Sequence, residues 1–207
     1  QGFTGFNDFI HGLMLRYRRM QGRVLYVEDS RTEAAVMVPL LERHGLEVLR
    51  ARSAEQALAL VDDSIDLVVT DFTLEGELSG GDFLHNLRCG LRRPRELLPV
   101  LVLTGESDPH RQAQILHAGG NDFIQKPVVE DVLVARLRAL LMLRRQCLDL
   151  RRQADELKRL SDIDLLTGVY NRRYLLEKGG QLLASAGTRP LWVAVLAVDD
   201  FATINEQ

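Results

Sequence analysis

From residue 23 onward the chain alternates between two hydrophobic rhythms. Short apolar runs at 23–28, 46–51, 65–70, 99–104 and 121–125 are rich in Val, Leu, Ile and Tyr and predict strands. Between them, apolar residues recur three and four apart, as amphipathic helices require. Ser30 caps the first such stretch, which carries Ala34, Ala35, Met37, Leu40 and Leu41 and ends at Gly45. Ser53 caps a second over 54–61, and a glycine-rich loop leads into a third over 81–89. A fourth spans 108–118 with Pro109 at its first position, and Val129 opens a long fifth.

Five strands alternating with five helices predict an α/β fold with a parallel sheet covered on both faces. Leu67-Val68-Val69 and Val100-Leu101-Val102-Leu103 have the unbroken apolar character that burial on two faces demands. Right-handed crossovers leave few topologies, and the flavodoxin-like strand order 2-1-3-4-5 is the expected one. Active groups in such sheets gather at the carboxyl ends of the strands.

The last helix continues past the point where a compact domain would end it. Leu140, Leu143, Cys147, Leu150, Ala154 and Leu157 are spaced 3, 4, 3, 4, 3, a heptad seam flanked by charged residues. The seam predicts a dimeric coiled coil through residues 137–160; one long solvated helix is the alternative. Near the start, Asn7-Asp-Phe-Ile10 matches Asn121-Asp-Phe-Ile124, and each precedes a Leu/Arg-rich stretch. Residues 1–21 are accordingly read as the tail of an upstream sister domain, with chance similarity of a short string as the alternative. The expected division is 22–144 for the main domain, 145–162 for a helical linker and 163–207 for part of another domain.

Composition narrows the class only a little. A net charge of −3, with 27% charged and 46% hydrophobic residues, offers no basic surface for nucleic acid or anionic membrane. No apolar run approaches the roughly 20 residues of a membrane span. Two cysteines, Cys89 and Cys147, make neither a disulfide framework nor a metal spacing and fit a reducing cytoplasm. The five histidines show no metal spacing and read as surface residues, and the run Arg92-Arg93-Pro94-Arg95 reads as a solvated loop. The plain ends at Gln1 and Gln207 suggest an excerpt of a longer protein.

Candidate chemistry lies at the strand ends. Glu28 and Asp29 follow the first strand and Asp71 the third, and these strands are neighbours in the expected order. Three crowded carboxylates call for a hard divalent cation with oxygen ligands, and Mg2+ suits an open, partly hydrated site. Thr104 ends the fourth strand and Lys126 the fifth, where Pro127 is placed to set a cis bond. A carboxylate nucleophile can take up a phosphoryl group, with cationic neighbours neutralising the charge that gathers on its oxygens.

Val27-Glu28-Asp29, Val69-Thr70-Asp71, Leu103-Thr104-Gly105 and Asp122-Phe-Ile-Gln-Lys-Pro127 together resemble the receiver domain of two-component response regulators, over residues 22–144. The resemblance implies that Asp71 accepts the phosphoryl group from a sensor histidine kinase or phosphotransfer protein. It further implies that Glu28, Asp29, Asp71 and the backbone carbonyl of Thr73 hold Mg2+. Thr104 and Lys126 would bind phosphoryl oxygens, and Phe123 would be the aromatic switch that turns inward as Thr104 moves. The chain departs from the family pattern after Asp71. Glu75 stands where a proline is usual, and Gly80 and Gly81 come later than the usual glycine, so the loop is lengthened. Gly105 replaces a usual alanine.

Further on, Asp164-Leu-Leu-Thr-Gly-Val-Tyr-Asn-Arg-Arg-Tyr174 resembles the opening of GGDEF domains, the diguanylate cyclase family. Aligned on Phe201 and Ile204-Asn205, that family's metal-binding aspartate falls on Ala197, while Asn205 keeps a guanine-contacting position; a shift in register would instead offer Asp199 or Asp200. The segment stops before any GGDEF signature and is too short to fold as that domain alone. Three readings stand: a phosphoacceptor switch controlling a degenerate GGDEF module able to bind GTP, an active cyclase making cyclic di-GMP from GTP, and a non-enzymatic dimerising scaffold.

Overall fold

The computed structural model describes residues 19–105, 107–164, 166–187, 192 and 194–196. Five strands, β1 (Gly22–Val27), β2 (Leu46–Ala51), β3 (Leu67–Asp71), β4 (Val100–Thr104) and β5 (Asp122–Gln125), form one parallel sheet in the order β2-β1-β3-β4-β5. The helices are α1 (Arg31–Arg43), α2 (Ala54–Leu60), α3 (Gly80–His85), α4 (Pro109–Ala118), α5 (Glu130–Asp162) and α6 (Arg172–Ala186). The expected α/β architecture and strand order are those observed.

Alternation along the strands divides the core in two. Val24, Tyr26, Leu67, Val69, Leu101 and Leu103 point to one face, where Leu41 of α1 and Leu133, Leu137 and Leu140 of α5 cover them. Leu25, Val27, Val68, Val100 and Val102 point to the other, under Ala54 and Ala57 of α2, Phe83 and Leu84 of α3, and Ile115 of α4. Burial on both faces accounts for the unbroken apolar runs.

Local chemistry sets the helix ends. Ser30, Ser53, Ser79 and Asp108 each cap a helix through a side-chain oxygen. Ser79 and Asp82 form a reciprocal capping box. Ser79→Ala is expected to cost about 1 kcal/mol of stability, read by thermal unfolding. Gly45 follows α1 at φ +90°, and a Cβ there would meet the Met20 carbonyl oxygen at 2.5 Å, so glycine is required.

Three features differ from expectation. The helix expected over 81–89 begins at Gly80 and widens into a π-turn, Asn86–Gly90, where the Leu91 amide donates to the Asn86 carbonyl at 2.9 Å. Arg88 in that turn is half-buried, and its guanidinium donates to the carbonyls of Gly119, Arg93 and Leu98 and to Asn121 Oδ1. Burial lowers its pKa to about 10. In the run expected to be a solvated loop, Arg95 Nη2 donates to the Leu116 carbonyl at 2.7 Å, at the carbonyl end of α4, and Arg93 pairs with Asp63. His44, expected at the surface, is half-buried and lies 2.8 Å from Glu130; His85, His110 and His117 are exposed.

The chain divides into two compact units, Gln1–Arg151 and Arg152–Gln207. In the second, Asn171 caps α6 and also donates to the Ser161 carbonyl at 2.7 Å, Arg173 pairs with Asp162 at 2.9 Å, and the rings of Tyr170 and Tyr174 stack at 3.8 Å. Of the expected seam along α5, Leu140 is instead buried against the sheet in this domain's own core, whereas Leu143, Leu150 and Leu157 are exposed. The Asn7–Ile10 string, and Ala197, Asp199, Asp200 and Asn205, lie outside the described residues.

Candidate functional site

The carboxyl ends of β1, β3, β4 and β5 bring the chemistry together. Asp71 is the last residue of β3 and is 8% exposed. Glu28 follows β1 and is 1% exposed. Thr104 closes β4, buried, and its carbonyl accepts the Lys126 amide at 2.7 Å, which fixes where the lysine leaves the sheet. The Lys126–Pro127 peptide bond is cis.

Lys126 Nζ lies 2.7 Å from Asp71 Oδ2 and 3.6 Å from Glu28 Oε2, and it also pairs with Glu33. The Thr73 amide donates to Asp71 Oδ1 at 3.2 Å. Glu28 is held by the Ser30 amide at 3.1 Å and the Tyr26 hydroxyl at 3.4 Å. Asp29 faces the loop after β3 instead, where its Oδ2 accepts the Glu75 amide at 2.9 Å. A proline at that position would carry no N–H. Leu78 in the same loop donates to Glu55 at 2.9 Å, so the loop is tied at two points. Phe123, on β5, is half-buried against the core face containing Val102 and Ile115. Thr73 is exposed.

The groups shift one another's charge. Burial raises the Glu28 carboxyl to about 7, although the Ser30 amide and Lys126 both pull it down. Burial also works against the Lys126 ammonium, but hydrogen bonds to Asp71 and Glu33 outweigh it, and its pKa lies above the ordinary lysine value. Burial pushes Asp29 up, yet the Glu75 amide and its other donors leave it below the usual carboxylate range. Tyr26 is raised by burial and by Glu28.

Oxygens of Glu28, Glu33 and Asp71 lie within 4.8 Å of one another. Three carboxylates thus face a single ammonium, an excess of negative charge built from hard oxygen donors. That donor set fits a divalent cation of the Mg2+ kind. The first two of these carboxylates differ in accessibility: Glu28 is buried and Glu33 is exposed.

A family model, the response regulator receiver domain, matches residues 24–138. The chain belongs to that family. The receiver domain chain is 38% identical over 122 residues to the uncharacterized transcriptional regulatory protein YrkP of Bacillus subtilis, covering 59% of this chain and 50% of that one. It is 29% identical over 199 residues to response regulator PleD of Caulobacter vibrioides, covering 95% of this chain and 43% of that one. A putative response regulator from Chloroflexus aurantiacus superposes with a TM-score of 0.54 at 30% identity, over 59% of this chain and 99% of that one. The chain spans about half the length of the curated relatives it matches.

Within this receiver domain, Glu33 is the pocket residue that the motifs do not point to. It is the third residue of α1 after the Ser30 cap, a spacing that ordinarily means a capping box. Here Glu28 takes the Ser30 amide, and the Glu33 carboxylate reaches across to Lys126. Only the expected strand neighbourhood could have hinted at that.

Proposed function

We propose that Asp71 is the phosphoacceptor of a two-component response regulator, with a sensor histidine kinase or phosphotransfer protein as donor. The observation that carries this reading is the 2.7 Å contact between Asp71 and Lys126 at the carboxyl edge of the sheet, among further carboxylates. An oxygen of Asp71 attacks the phosphorus of the donor's phosphohistidine. The new P–O bond forms as the P–N bond breaks, and the imidazole leaves with a proton from solvent. Lys126 and the Thr104 hydroxyl take up the phosphoryl oxygens, and the Thr73 amide steadies the carboxylate. Glu28, Asp29, Asp71 and the Thr73 carbonyl would hold Mg2+, with Asp29 turning from the Glu75 amide, and the ion would neutralise charge on the transferring group. Movement of Thr104 toward the phosphoryl group opens space that Phe123 fills, and this changes the β4–β5 surface.

The output passes through α5, whose exposed Leu143, Leu150 and Leu157 form the seam of a homodimer, to a GGDEF-type module beginning near residue 163. Similarity to PleD extends over 95% of the chain, past the receiver and into the segment that carries the 164–174 motif. Ala197 in place of the metal-binding aspartate favours a degenerate module that binds GTP, through Asn205, over one that makes cyclic di-GMP. Among the described residues no helix is long and apolar enough to cross a membrane, in keeping with action in the cytoplasm.

Acetyl phosphate with Mg2+ tests the acceptor. Intact-mass and peptide mapping are expected to place one phosphoryl group on the peptide containing Asp71. A phosphoryl group elsewhere, or none, overturns the reading.

A further inference from the structure

We propose that Glu33 is a built-in competitor for Lys126, a positioning residue that limits how firmly this receiver holds its phosphoryl group. The inference rests on the reading of Asp71 as acceptor and adds a residue that none of the receiver motifs includes. An ammonium has three protons to donate. In the resting pocket one goes to Asp71 at 2.7 Å and another to Glu33, while Glu28 stands off at 3.6 Å. A phosphoryl group on Asp71 brings three oxygens that need the same donor. Lys126 must then leave Glu33 or divide its charge.

The surroundings make Glu33 the partner that yields. Its side chain is 46% exposed, against 1% for Glu28 and 11% for Asp71. Water can solvate its carboxylate once the lysine turns away, so the pair is reversible. Its charge nevertheless remains beside the site, because its oxygen lies within 4.8 Å of the Asp71 carboxylate. A phosphoryl dianion there is repelled by Glu33 and shares Lys126 with it. Both effects act in one direction, against retention of the phosphoryl group. The local backbone allows the arrangement: the Ser30 amide is occupied by Glu28 at 3.1 Å, so Glu33 has no capping-box partner to hold it at the helix end.

The test compares the full chain with its Glu33→Gln and Glu33→Asp variants, using beryllofluoride at saturating Mg2+ as the phosphoryl probe. Glu33→Gln keeps the shape and removes the charge, and apparent beryllofluoride affinity is expected to rise about tenfold. Dephosphorylation after acetyl phosphate loading slows in the same variant. Glu33→Asp, which keeps the charge, stays near the parent. In the unphosphorylated chain the Lys126 Nζ resonance moves in Glu33→Gln, a signature that a general loss of packing would not give. If Glu33→Gln binds beryllofluoride as weakly as the parent or more weakly, the competitor role is wrong; a cation ligand would behave in the latter way. If the parent itself takes up no beryllofluoride while Lys126 Nζ still responds to Glu33→Gln, the acceptor reading fails and the ion pair stands.

Discussion

Asp71→Asn is expected to abolish phosphoryl uptake from acetyl phosphate and to leave the fold intact. The carboxamide is nearly isosteric, but it carries no anionic oxygen to attack phosphorus. Its oxygen can still accept the Thr73 amide at the place where Asp71 Oδ1 does so at 3.2 Å. Its nitrogen would then face Lys126, donor against donor, where a 2.7 Å ion pair now stands. Lys126 retains Glu33 and Glu28, and the loss of one member from the crowd of carboxylates relieves repulsion that offsets the lost pair, so stability is expected to change by about 1 kcal/mol. Mass spectrometry checks the first outcome and thermal unfolding the second. The oligomeric state gives a third readout: sedimentation with beryllofluoride and Mg2+ is expected to shift for the parent and not for Asp71→Asn. Identical behaviour of the two chains would remove phosphorylation as the switch.

Gly80→Ala is expected to damage both stability and the pocket, whereas Gly81→Ala does neither. A Cβ on Gly80 would lie 2.4 Å from the Phe72 carbonyl oxygen and 2.8 Å from its Cα. These are backbone atoms of the residue directly after Asp71, so no flexible side chain can give way. Alanine is the better helix former by up to about 1 kcal/mol, but overpacking against a fixed backbone costs about 1–3 kcal/mol and wins here. Any relief must displace Phe72, and with it Asp71 and the Thr73 amide. Misplacement of reacting groups by a fraction of an ångström is expected to lower beryllofluoride affinity by about tenfold or more. At Gly81 the nearest atoms, Ser79 Oγ and Phe72 Cζ, would be 3.6 and 3.9 Å away, an ordinary contact. Equal effects at the two glycines would rule out the close approach as the cause.

The sheet was legible because burial on two faces leaves its mark on every strand: Leu25 and Tyr26 are both apolar though they serve opposite cores. The helix starts were legible because a serine can satisfy the free amides of a first turn, as at Ser30 and Ser53. The strand-end carboxylates and Lys126 were legible because the strand order makes them neighbours. What escaped notice depends on contacts between distant residues. Arg88 looks like any helix-surface arginine until the π-turn carries it under the carbonyls of Gly119 and Leu98. The turn itself has no periodic signature. Glu33 is hidden by its own spacing, which mimics a cap. The later position of Gly80 reads as a departure from the family pattern, yet the loop after β3 delivers a glycine to the point where the backbone passes Phe72.

Glu75 has one more consequence. Because it is not a proline, the loop beyond the acceptor carries an exchangeable proton, and that proton is pledged to Asp29 at 2.9 Å. Hydrogen exchange at this one amide therefore reports on the carboxylate beside it. A ligand that draws Asp29 away releases the proton to solvent, and one that leaves Asp29 in place keeps it protected. The chain thus has an isotopic gauge of its own pocket in a single backbone amide, readable by deuterium exchange without altering any side chain.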